Sequence, residues 1–275
     1  MTDALLDRPT RPEPTGAYTV EDVLWVKRWT PHLFSFALTR PDSFRFRSGE
    51  FVMVGLPAAP GEKKPVLRAY SIASPHFAEE LEFFSIAVED GPLTSRLRHI
   101  QPGDPVLLGR KPTGTLVLDA LTPGRRLWLI GTGTGLAPWL SVARDPETYE
   151  RFEEVIVTHT VRTAADLAYR DLFEGELFND ELVGEQARAQ LRYYPTVTRE
   201  PFVHPGRITD RILSGDAFRD IGIKQTAFDP LQDRIMLCGS MAMIKETAGI
   251  LETQGLKEGS NAEPGAFVLE RAFVG

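Results

Sequence analysis

The sequence predicts two domains of different fold, an antiparallel β-barrel followed by an α/β domain built on a parallel sheet. In residues 17–120, short apolar segments are separated by turns rich in Pro, Gly and Ser, which is typical of a small barrel. Beyond Thr122-Pro123-Gly124, apolar segments alternate with helical ones, which favours a parallel sheet wrapped by helices. The 275 residues suffice for two domains. We therefore expect a flexible N-terminal arm at 1–16, a barrel domain at 17–120 and an α/β domain at 121–275.

The predicted barrel strands are rich in Val, Phe, Ile and Leu and end at turn residues. One stretch of this half, Leu93–His99, has helical periodicity instead. The strands are predicted at Tyr18–Trp29, Leu33–Thr39, Phe51–Leu56, Ala69–Ala73, Leu81–Val88 and Pro105–Leu108.

The predicted α/β domain begins with the apolar strand Arg126–Ile130, which runs into the glycine-rich segment Gly131–Gly135 and then a helix through Val142. The same alternation continues to the end of the chain. Strands are predicted at Val155–Thr160, Leu191–Val197 and Arg234–Cys238, and helices at Ala164–Glu176, Ile208–Ser214 and Met241–Gln254.

Composition narrows the function classes. The net charge of -7 and pI of about 5.4 argue against nucleic-acid binding. A single cysteine, Cys238, excludes an internal disulfide and a cysteine-ligated metal cluster, so a redox centre has to be organic. Neither a membrane-spanning segment nor a signal peptide is predicted, and the five histidines lack metal-ligand spacing. We expect a monomer in the cytoplasm.

The segment Arg68-Ala69-Tyr70-Ser71 has the chemistry that a flavin dinucleotide needs. Arg68 can make two hydrogen bonds to a diphosphate. Tyr70 offers a flat face to the flavin ring and a hydroxyl to the ribityl chain, and Ser71 is placed to hydrogen-bond near flavin N5. Strand alternation sends Arg68 and Tyr70 to one face. Taken alone, the segment also fits an exposed Arg beside a core Tyr.

A second segment suits a diphosphate about 20 residues further on. The strand Phe83–Val88 leads through a glycine turn to a helix whose first turn holds Thr94 and Ser95. Free N–H groups at such a helix start bind anions, although a capped helix after a hairpin has the same pattern. The candidate flavin contacts here are Ser85, Ile86, Val88, Gly91, Leu93, Thr94 and Ser95.

The segment Gly131–Pro138 predicts a pyrophosphate site between a strand and a helix. Glycines allow a sharp turn and a close approach of the backbone to the ligand. The glycines recur every second residue, unlike the Gly-x-Gly-x-x-Gly of Rossmann dehydrogenases. A tight turn without a ligand is the alternative. The candidate nucleotide contacts are Gly131, Thr132, Gly133, Thr134, Gly135 and Pro138.

Together these motifs resemble the ferredoxin–NADP reductase family, in particular its bacterial flavodoxin/ferredoxin–NADP reductase subgroup. The family's ordered motifs match Arg68–Ser71, Gly91–Ser95, Gly131–Pro138 and Cys238-Gly239, and the resemblance runs from about residue 18 to 275. It implies an FAD-binding barrel followed by an NADP-binding domain. It also implies an FAD-dependent reductase that transfers electrons between NADP(H) and ferredoxin or flavodoxin.

The resemblance also assigns residues that choose the nucleotide. Arg162, Arg199 and Arg207 follow predicted strands, and similar arginines in the family hold the 2′-phosphate of NADPH. An NADH enzyme commonly places an acid beside the ribose, and none follows directly here. We expect replacement of Arg162 and Arg199 by Ala to raise the KM for NADPH and to spare NADH.

The last strand and the tail complete the implied site. Cys238, Gly239, Ser240 and Met241 are expected at the nicotinamide and its ribose, although a buried apolar role also fits Cys238. In the bacterial subgroup the tail passes the flavin, which places Ala272 against the ring, Phe273 on the FAD adenine and Glu270 as a relay near N5. The catalytic candidates are Tyr70, Ser71, Cys238, Glu270 and Ala272.

Other functions share this architecture. One alternative is the reductase component of an oxygenase, and another is a redox sensor that holds FAD and nucleotide without steady turnover. A third is a barrel and α/β domain with some other ligand. For the reductase, basic residues of the less acidic first half are expected to steer an acidic carrier: Arg45, Arg47, Lys63, Lys64, Arg96, Arg98 and Arg110.

Overall fold

The computed structural model describes residues 12–58, 61 and 64–270, and its strands form two separate sheets. The first is a curled antiparallel sheet of six strands in the order β4-β3-β6-β1-β2-β5, with one short helix, α1, at Thr94–Leu97. Its strands are β1 Tyr18–Arg28, β2 Leu33–Thr39, β3 Phe51–Leu56, β4 Val66–Ser71, β5 Glu80–Ile86 and β6 Pro105–Gly109.

The curl brings the two edge strands of this sheet together. An isolated bridge joins Ile72, directly after β4, to Phe83 on β5. Inside the curl, aromatic rings such as Phe34, Phe36 and Phe83 are almost fully buried and pack against one another. The predicted antiparallel barrel is confirmed, and β4 and β5, which carry the predicted flavin residues, lie side by side.

The second sheet has five parallel strands in the order β11-β10-β7-β8-β9. Its strands are β7 Arg126–Thr132, β8 Glu154–Val161, β9 Leu191–Val197, β10 Asp233–Cys238 and β11 Phe267–Leu269. Its helices are α2 Ala137–Ala143, α3 Pro146–Arg151, α4 Arg170–Glu174, α5 Gly184–Gln190, α6 Ile208–Leu213, α7 Asp216–Asp220 and α8 Met241–Thr253.

Helices cover both faces of the parallel sheet, which explains its continuous apolar strands. Leu127 and Leu129 pack on the side of α2, whereas Trp128 and Ile130 pack on the side of α6 and α8. Because the strands are parallel, their carboxyl ends meet at one edge, where ligands bind in such folds. The glycine-rich segment and Cys238-Gly239 both lie at this edge.

Two element predictions need correction. The helix expected at Ala164–Glu176 is broken: a short 3-10 turn at Ala164–Asp166 and the helix α4 are separated by Tyr169, which has a left-handed backbone with φ of 61°. The helix expected at Leu93–His99 is the single turn of α1. Among the described residues, no helix combines the length and the apolar character needed to cross a membrane.

Candidate active site in the cleft between the two sheets

A cleft of about 800 Å³ lies between the curled sheet and the carboxyl edge of the parallel sheet. Most of the residues proposed from sequence line it. They are Arg68, Ala69, Tyr70, Ser71, Ser85, Ile86, Val88, Gly91, Leu93 and Thr94 on one side, and Thr132, Gly133, Thr134, Gly135, Arg162, Arg207, Cys238, Gly239 and Ser240 on the other. Both proposed cofactor sites therefore open into the same cavity.

The wall formed by β4 and β5 presents side chains. Tyr70 is buried in the barrel core, and its hydroxyl lies 3.1 Å from Ser85 Oγ on β5. Burial raises the pKa of the Tyr70 hydroxyl, so this group is a neutral hydrogen-bonding partner. Arg68 is exposed, with Nη1 donating to the carbonyl of Leu67 at 3.0 Å. Among the described residues no carboxylate forms an ion pair with Arg68, so its charge faces the cleft.

The turn after β5 differs in detail from the expected anion site. Thr94 Oγ1 accepts a hydrogen bond from the Val88 N–H at 3.2 Å, which closes the turn on itself. A Cβ at Gly91 would lie 2.3 Å from that same oxygen, so the turn needs glycine there. Ser95 is not among the residues that line the cleft.

The glycines of the nucleotide turn have separate tasks. A Cβ at Gly131 would lie 2.6 Å from Trp139 Nε1, and one at Gly135 would lie 2.4 Å from the carbonyl oxygen of Cys238. These two glycines permit close packing within the protein. Gly133 has a φ of 54° and open space where a Cβ would stand, so it is the glycine that leaves the backbone open to a ligand. Pro138 and Gly131 do not line the cleft.

A buried histidine stabilises this turn by a hydrogen bond to its backbone. His159 on β8 lies with Nε2 3.1 Å from the carbonyl oxygen of Gly133 and Nδ1 3.2 Å from the hydroxyl of Tyr193. Since a carbonyl only accepts, Nε2 carries the proton and Nδ1 accepts from Tyr193. Burial lowers the pKa of His159 to about 4, which keeps the ring neutral. No sequence motif predicts this role, because the histidines lack metal-ligand spacing and His159 stands within an ordinary apolar strand.

The end of β10 meets the end of β7 through a second glycine. Gly239 has a φ of 135°, and a Cβ there would lie 2.2 Å from Thr132 Oγ1. The same oxygen accepts a hydrogen bond from the Ser240 N–H at 2.8 Å. Cys238 lines the cleft but is nearly buried, and burial, together with the charge of Glu270, raises the pKa of its thiol. Cys238 is therefore a neutral thiol, and Met241 is not among the lining residues.

The three arginines proposed to bind the 2′-phosphate do not all reach the cleft. Arg162 and Arg207 line the cleft, whereas Arg199 does not, although its N–H donates to the carbonyl of Arg162 at 2.9 Å. Arg207 Nη2 contacts both carboxylate oxygens of Glu246 at 3.1 Å. Thr209, at the start of α6, lines the cleft, and its buried hydroxyl has no hydrogen-bond partner among the residues that the structure describes. No sequence motif marks Thr209, whose burial is visible only in the fold.

Glu270, the last described residue, contacts elements beside the site. Glu270 donates its N–H to the carbonyl of Leu237, and its Oε2 accepts from the Thr115 N–H at 3.3 Å. This places Glu270 beside Cys238, but Glu270 is not among the residues that line the cleft. Ala272 and Phe273 lie outside the described residues.

Known proteins share this architecture. Residues 129–249 match a family model described as an oxidoreductase NAD-binding domain. The chain is 56% identical over 256 residues to a flavodoxin/ferredoxin–NADP reductase of Rhodobacter capsulatus, covering 93% of each chain. It is 55% identical over 258 residues to ferredoxin–NADP reductase A of Sorangium cellulosum, covering 94% of this chain and 91% of that one. A crystal structure of a ferredoxin–NADP⁺ reductase from Neisseria gonorrhoeae with bound FAD and NADP has a TM-score of 0.83 and 31% identity, covering 94% of this chain and 100% of that chain.

Proposed function

Because the chain belongs to the bacterial ferredoxin–NADP reductase family, we propose that it transfers electrons between NADP(H) and ferredoxin or flavodoxin in the cytoplasm. It is an FAD-dependent oxidoreductase that uses NADP(H). The observation that carries the proposal is the shared cleft, because one cavity joins the wall of Arg68, Tyr70 and Ser71 to the turn around Gly133.

The wall formed by β4 and β5 fits FAD. Arg68 supplies an exposed cation for the diphosphate, and the flat face of Tyr70 suits the flavin ring. When bound, FAD supplies the chemistry that accepts two electrons from NADPH and releases them one at a time to a carrier. Ser71 follows Tyr70 on the same wall, and we assign it the hydrogen bond near flavin N5.

The opposite wall fits NADP(H). The open backbone at Gly133 suits the pyrophosphate, while Arg162 and Arg207 supply cations for the 2′-phosphate. Thr209 lies in the same wall, and its buried hydroxyl, which lacks a partner among the described residues, is a further candidate contact for the nucleotide.

The remaining site assignments fall into two groups. Cys238 and Gly239 line the cleft where we place the nicotinamide, and Glu270 acts from behind Cys238 as a hydrogen-bond relay. Roles for Ala272 and Phe273 at the flavin stay predictions. We assign the rest supporting positions around the cleft, because they do not line it: Ser95, Gly131, Pro138, Arg199 and Met241.

An acidic carrier protein suits the basic residues of the curled sheet. Arg45, Arg47, Arg110 and Lys111 surround a shallow surface groove, which also contains Glu50. Of the steering residues proposed from sequence, Lys63 lies outside the described residues. We expect the rate of ferredoxin reduction to fall as salt rises, because screening weakens electrostatic steering. A rate that does not respond to salt would argue against this surface.

The decisive experiment is the visible spectrum of the purified protein, titrated first with NADPH and then with oxidised ferredoxin. We expect flavin absorption that bleaches with NADPH and returns with ferredoxin. A spectrum that bleaches without steady reduction of ferricyanide or cytochrome c would indicate a redox sensor. A colourless protein that does not take up FAD would contradict the proposal.

A further inference from the structure

A chain of hydrogen bonds, buried at its centre and partly buried at its ends, joins the two sheets. Trp29 Nε1 donates to Ser35 Oγ at 2.8 Å, and Ser35 Oγ lies 2.5 Å from the hydroxyl of Tyr169. The Tyr169 hydroxyl also lies 2.7 Å from Glu82 Oε1, and Arg144 Nη2 donates to Glu82 Oε2 at 2.7 Å. We call these residues the Tyr169 network. Trp29, Ser35 and Glu82 belong to the curled sheet and its loops, whereas Tyr169 and Arg144 belong to the parallel-sheet part.

The network has one consistent direction. An indole N–H and a guanidinium only donate, and an ionised carboxylate only accepts. Ser35 therefore accepts from Trp29 and donates to Tyr169, and Tyr169 donates to Glu82. Burial and the nearby charge of Glu82 raise the pKa of Tyr169 well above its usual value, so the hydroxyl keeps the proton that it donates. The indole N–H, both hydroxyls and both oxygens of the Glu82 carboxylate thereby have hydrogen-bond partners.

The backbone is shaped to bring Tyr169 into this position. Among the described residues, Tyr169 is the one non-glycine residue with a positive φ, at 61°. Bulky side chains adopt that conformation only where the surroundings impose it. The ring is held between Trp29, with ring centroids 4.5 Å apart, and Phe84, at 5.4 Å. The unusual backbone breaks the helix predicted there and directs the hydroxyl into the other sheet.

On one side, the network is attached to the flavin wall. Beyond Ser71 the chain continues from β4 to Ala73, whose carbonyl accepts from Arg144 Nη2 at 2.7 Å. Glu82 lies on β5 three residues before Ser85, the partner of Tyr70. The Glu82 N–H also donates to Ser74 Oγ at 3.0 Å. The network therefore contacts both strands that present the flavin residues, just after the end of β4 and near the start of β5.

On the other side, the network is attached to the nucleotide turn through α2. This helix follows the glycine turn directly and ends at Ala143, just before Arg144. Ser141, one turn earlier, donates to the carbonyl of Ser74 at 2.7 Å, which is a second link to the flavin wall. The same short helix therefore carries the glycine turn at its start and the interdomain contacts at its end.

We propose that the Tyr169 network sets the distance and angle between the two cofactor walls, with Tyr169, Glu82 and Arg144 as positioning residues for electron transfer from NADPH to the flavin. The proposal rests on the proposed function, because it assumes that both cofactors meet in this cleft. None of the three is assigned a catalytic role. They keep the flavin wall and the nucleotide turn in a fixed relation, on which transfer between two bound rings depends steeply.

The test compares Tyr169→Phe with Tyr149→Phe. Each variant removes one buried tyrosine hydroxyl, but the Tyr149 hydroxyl donates to the Ala143 carbonyl at 2.6 Å within the parallel-sheet part alone. In the FAD-loaded protein at saturating NADPH, we expect Tyr169→Phe to lower the first-order rate of flavin reduction about tenfold. Affinity for 2′-phospho-AMP should stay unchanged, since Arg162 and Arg207 are not in the network. Tyr149→Phe should leave the rate unchanged, although both variants lose stability.

A second readout does not depend on activity. Amide hydrogen exchange should become faster in residues 72–74 and 166–170 of FAD-loaded Tyr169→Phe, and not in Tyr149→Phe. If Tyr169→Phe does not fold, Ser35→Ala is measured in its place, because it breaks the same chain of hydrogen bonds and keeps every ring.

Two results would overturn the proposal. One is flavin reduction at the wild-type rate in Tyr169→Phe, and the other is an equal loss of rate in both tyrosine variants. Failure of the proposed function looks different: the wild-type protein would bind FAD and not be reduced by NADPH. In that case the exchange comparison alone decides whether the network fixes the two walls.

Discussion

The two walls of the cleft are built on opposite principles. The wall formed by β4 and β5 presents side chains, namely the guanidinium of Arg68 and the ring of Tyr70. The wall at the edge of the parallel sheet also carries the side chains of Arg162 and Arg207, but at Gly133 and Gly239 it presents backbone alone. An antiparallel strand projects every second side chain to one face, whereas the carboxyl edge of a parallel sheet offers turns and N–H groups.

This difference predicts how each wall responds to mutation. The side-chain wall should lose affinity by degrees as individual contacts are removed. The backbone wall should fail abruptly when a side chain is added at Gly239, because the added carbon would meet the side-chain oxygen and the main chain of Thr132. Four variants test this contrast, beginning with the one of largest expected effect.

Gly239→Ala should give the largest loss. Its Cβ would lie 2.2 Å from Thr132 Oγ1 and 2.8 Å from the Thr132 nitrogen, at a φ of 135° that L-residues rarely adopt. We expect NADPH-dependent flavin reduction to fall about 100-fold, because β7 and β10 must separate at the cleft. Gly249→Ala on the exposed side of α8 is the control, since nothing lies within 4 Å of its Cβ. Equal activities of the two variants would show that the backbone wall tolerates a side chain at position 239.

Arg68→Ala should weaken FAD binding about tenfold, which is the usual size of one lost charge-assisted contact. Fluorescence titration of the apoprotein with FAD measures this effect. Arg125→Ala removes an equally charged side chain that pairs with Glu153 at 2.8 Å, far from the cleft, and should leave the affinity unchanged. An FAD affinity for Arg68→Ala within twofold of wild type would remove Arg68 from the site.

Arg162→Ala should raise the KM for NADPH by severalfold and leave the KM for NADH unchanged, because only NADPH carries the 2′-phosphate. Arg199→Ala should have a smaller effect, since Arg199 does not line the cleft. Steady-state kinetics with both nucleotides distinguish the two arginines. An equal rise for NADH and NADPH would mean that Arg162 acts on the shared part of the nucleotide instead.

His159→Asn should have the smallest effect of the four variants at neutral pH, and it should change how the free energy of unfolding depends on pH. The unfolded histidine takes up a proton as pH falls through 6.5, whereas the buried ring stays neutral until pH reaches about 4. The stability that depends on the neutral ring is therefore complete above pH 6.5 and is lost as pH falls towards 4. Urea unfolding across this range should show a flatter pH dependence in His159→Asn. Parallel curves for variant and wild type would contradict this assignment.

Much of the architecture could be predicted from the sequence because its signals are local. The prediction of β9 at Leu191–Val197 was correct at both ends, since apolar runs bounded by turn residues are visible in the chain itself. The turn around Gly133 could also be predicted from the sequence, because regularly spaced glycines after a strand allow the sharp turn that a pyrophosphate site needs.

The rest depends on contacts between residues far apart in sequence. Tyr169 looked like one residue of a continuous helix, and only its partners Ser35 and Glu82, 134 and 87 positions away, account for the break. His159 lacks a motif because its role rests on hydrogen bonds to the Gly133 carbonyl, in the turn after β7, and to the Tyr193 hydroxyl on β9. Arg162 and Arg199 both follow a predicted strand and look equivalent in sequence. Only the path of the chain beyond each strand determines that Arg162 lines the cleft and Arg199 does not.

The links between α2 and the strands of the curled sheet have a consequence for engineering by recombination. A crossover placed between the two sheets would combine a flavin-binding half from one reductase with a nucleotide-binding half from another. Such a chimera would inherit Ser35 and Glu82 from one parent and Tyr169 and Arg144 from the other. Parents that share these four residues should exchange halves productively, whereas mismatched parents should yield hybrids that fold and hold both cofactors yet exchange electrons slowly between them.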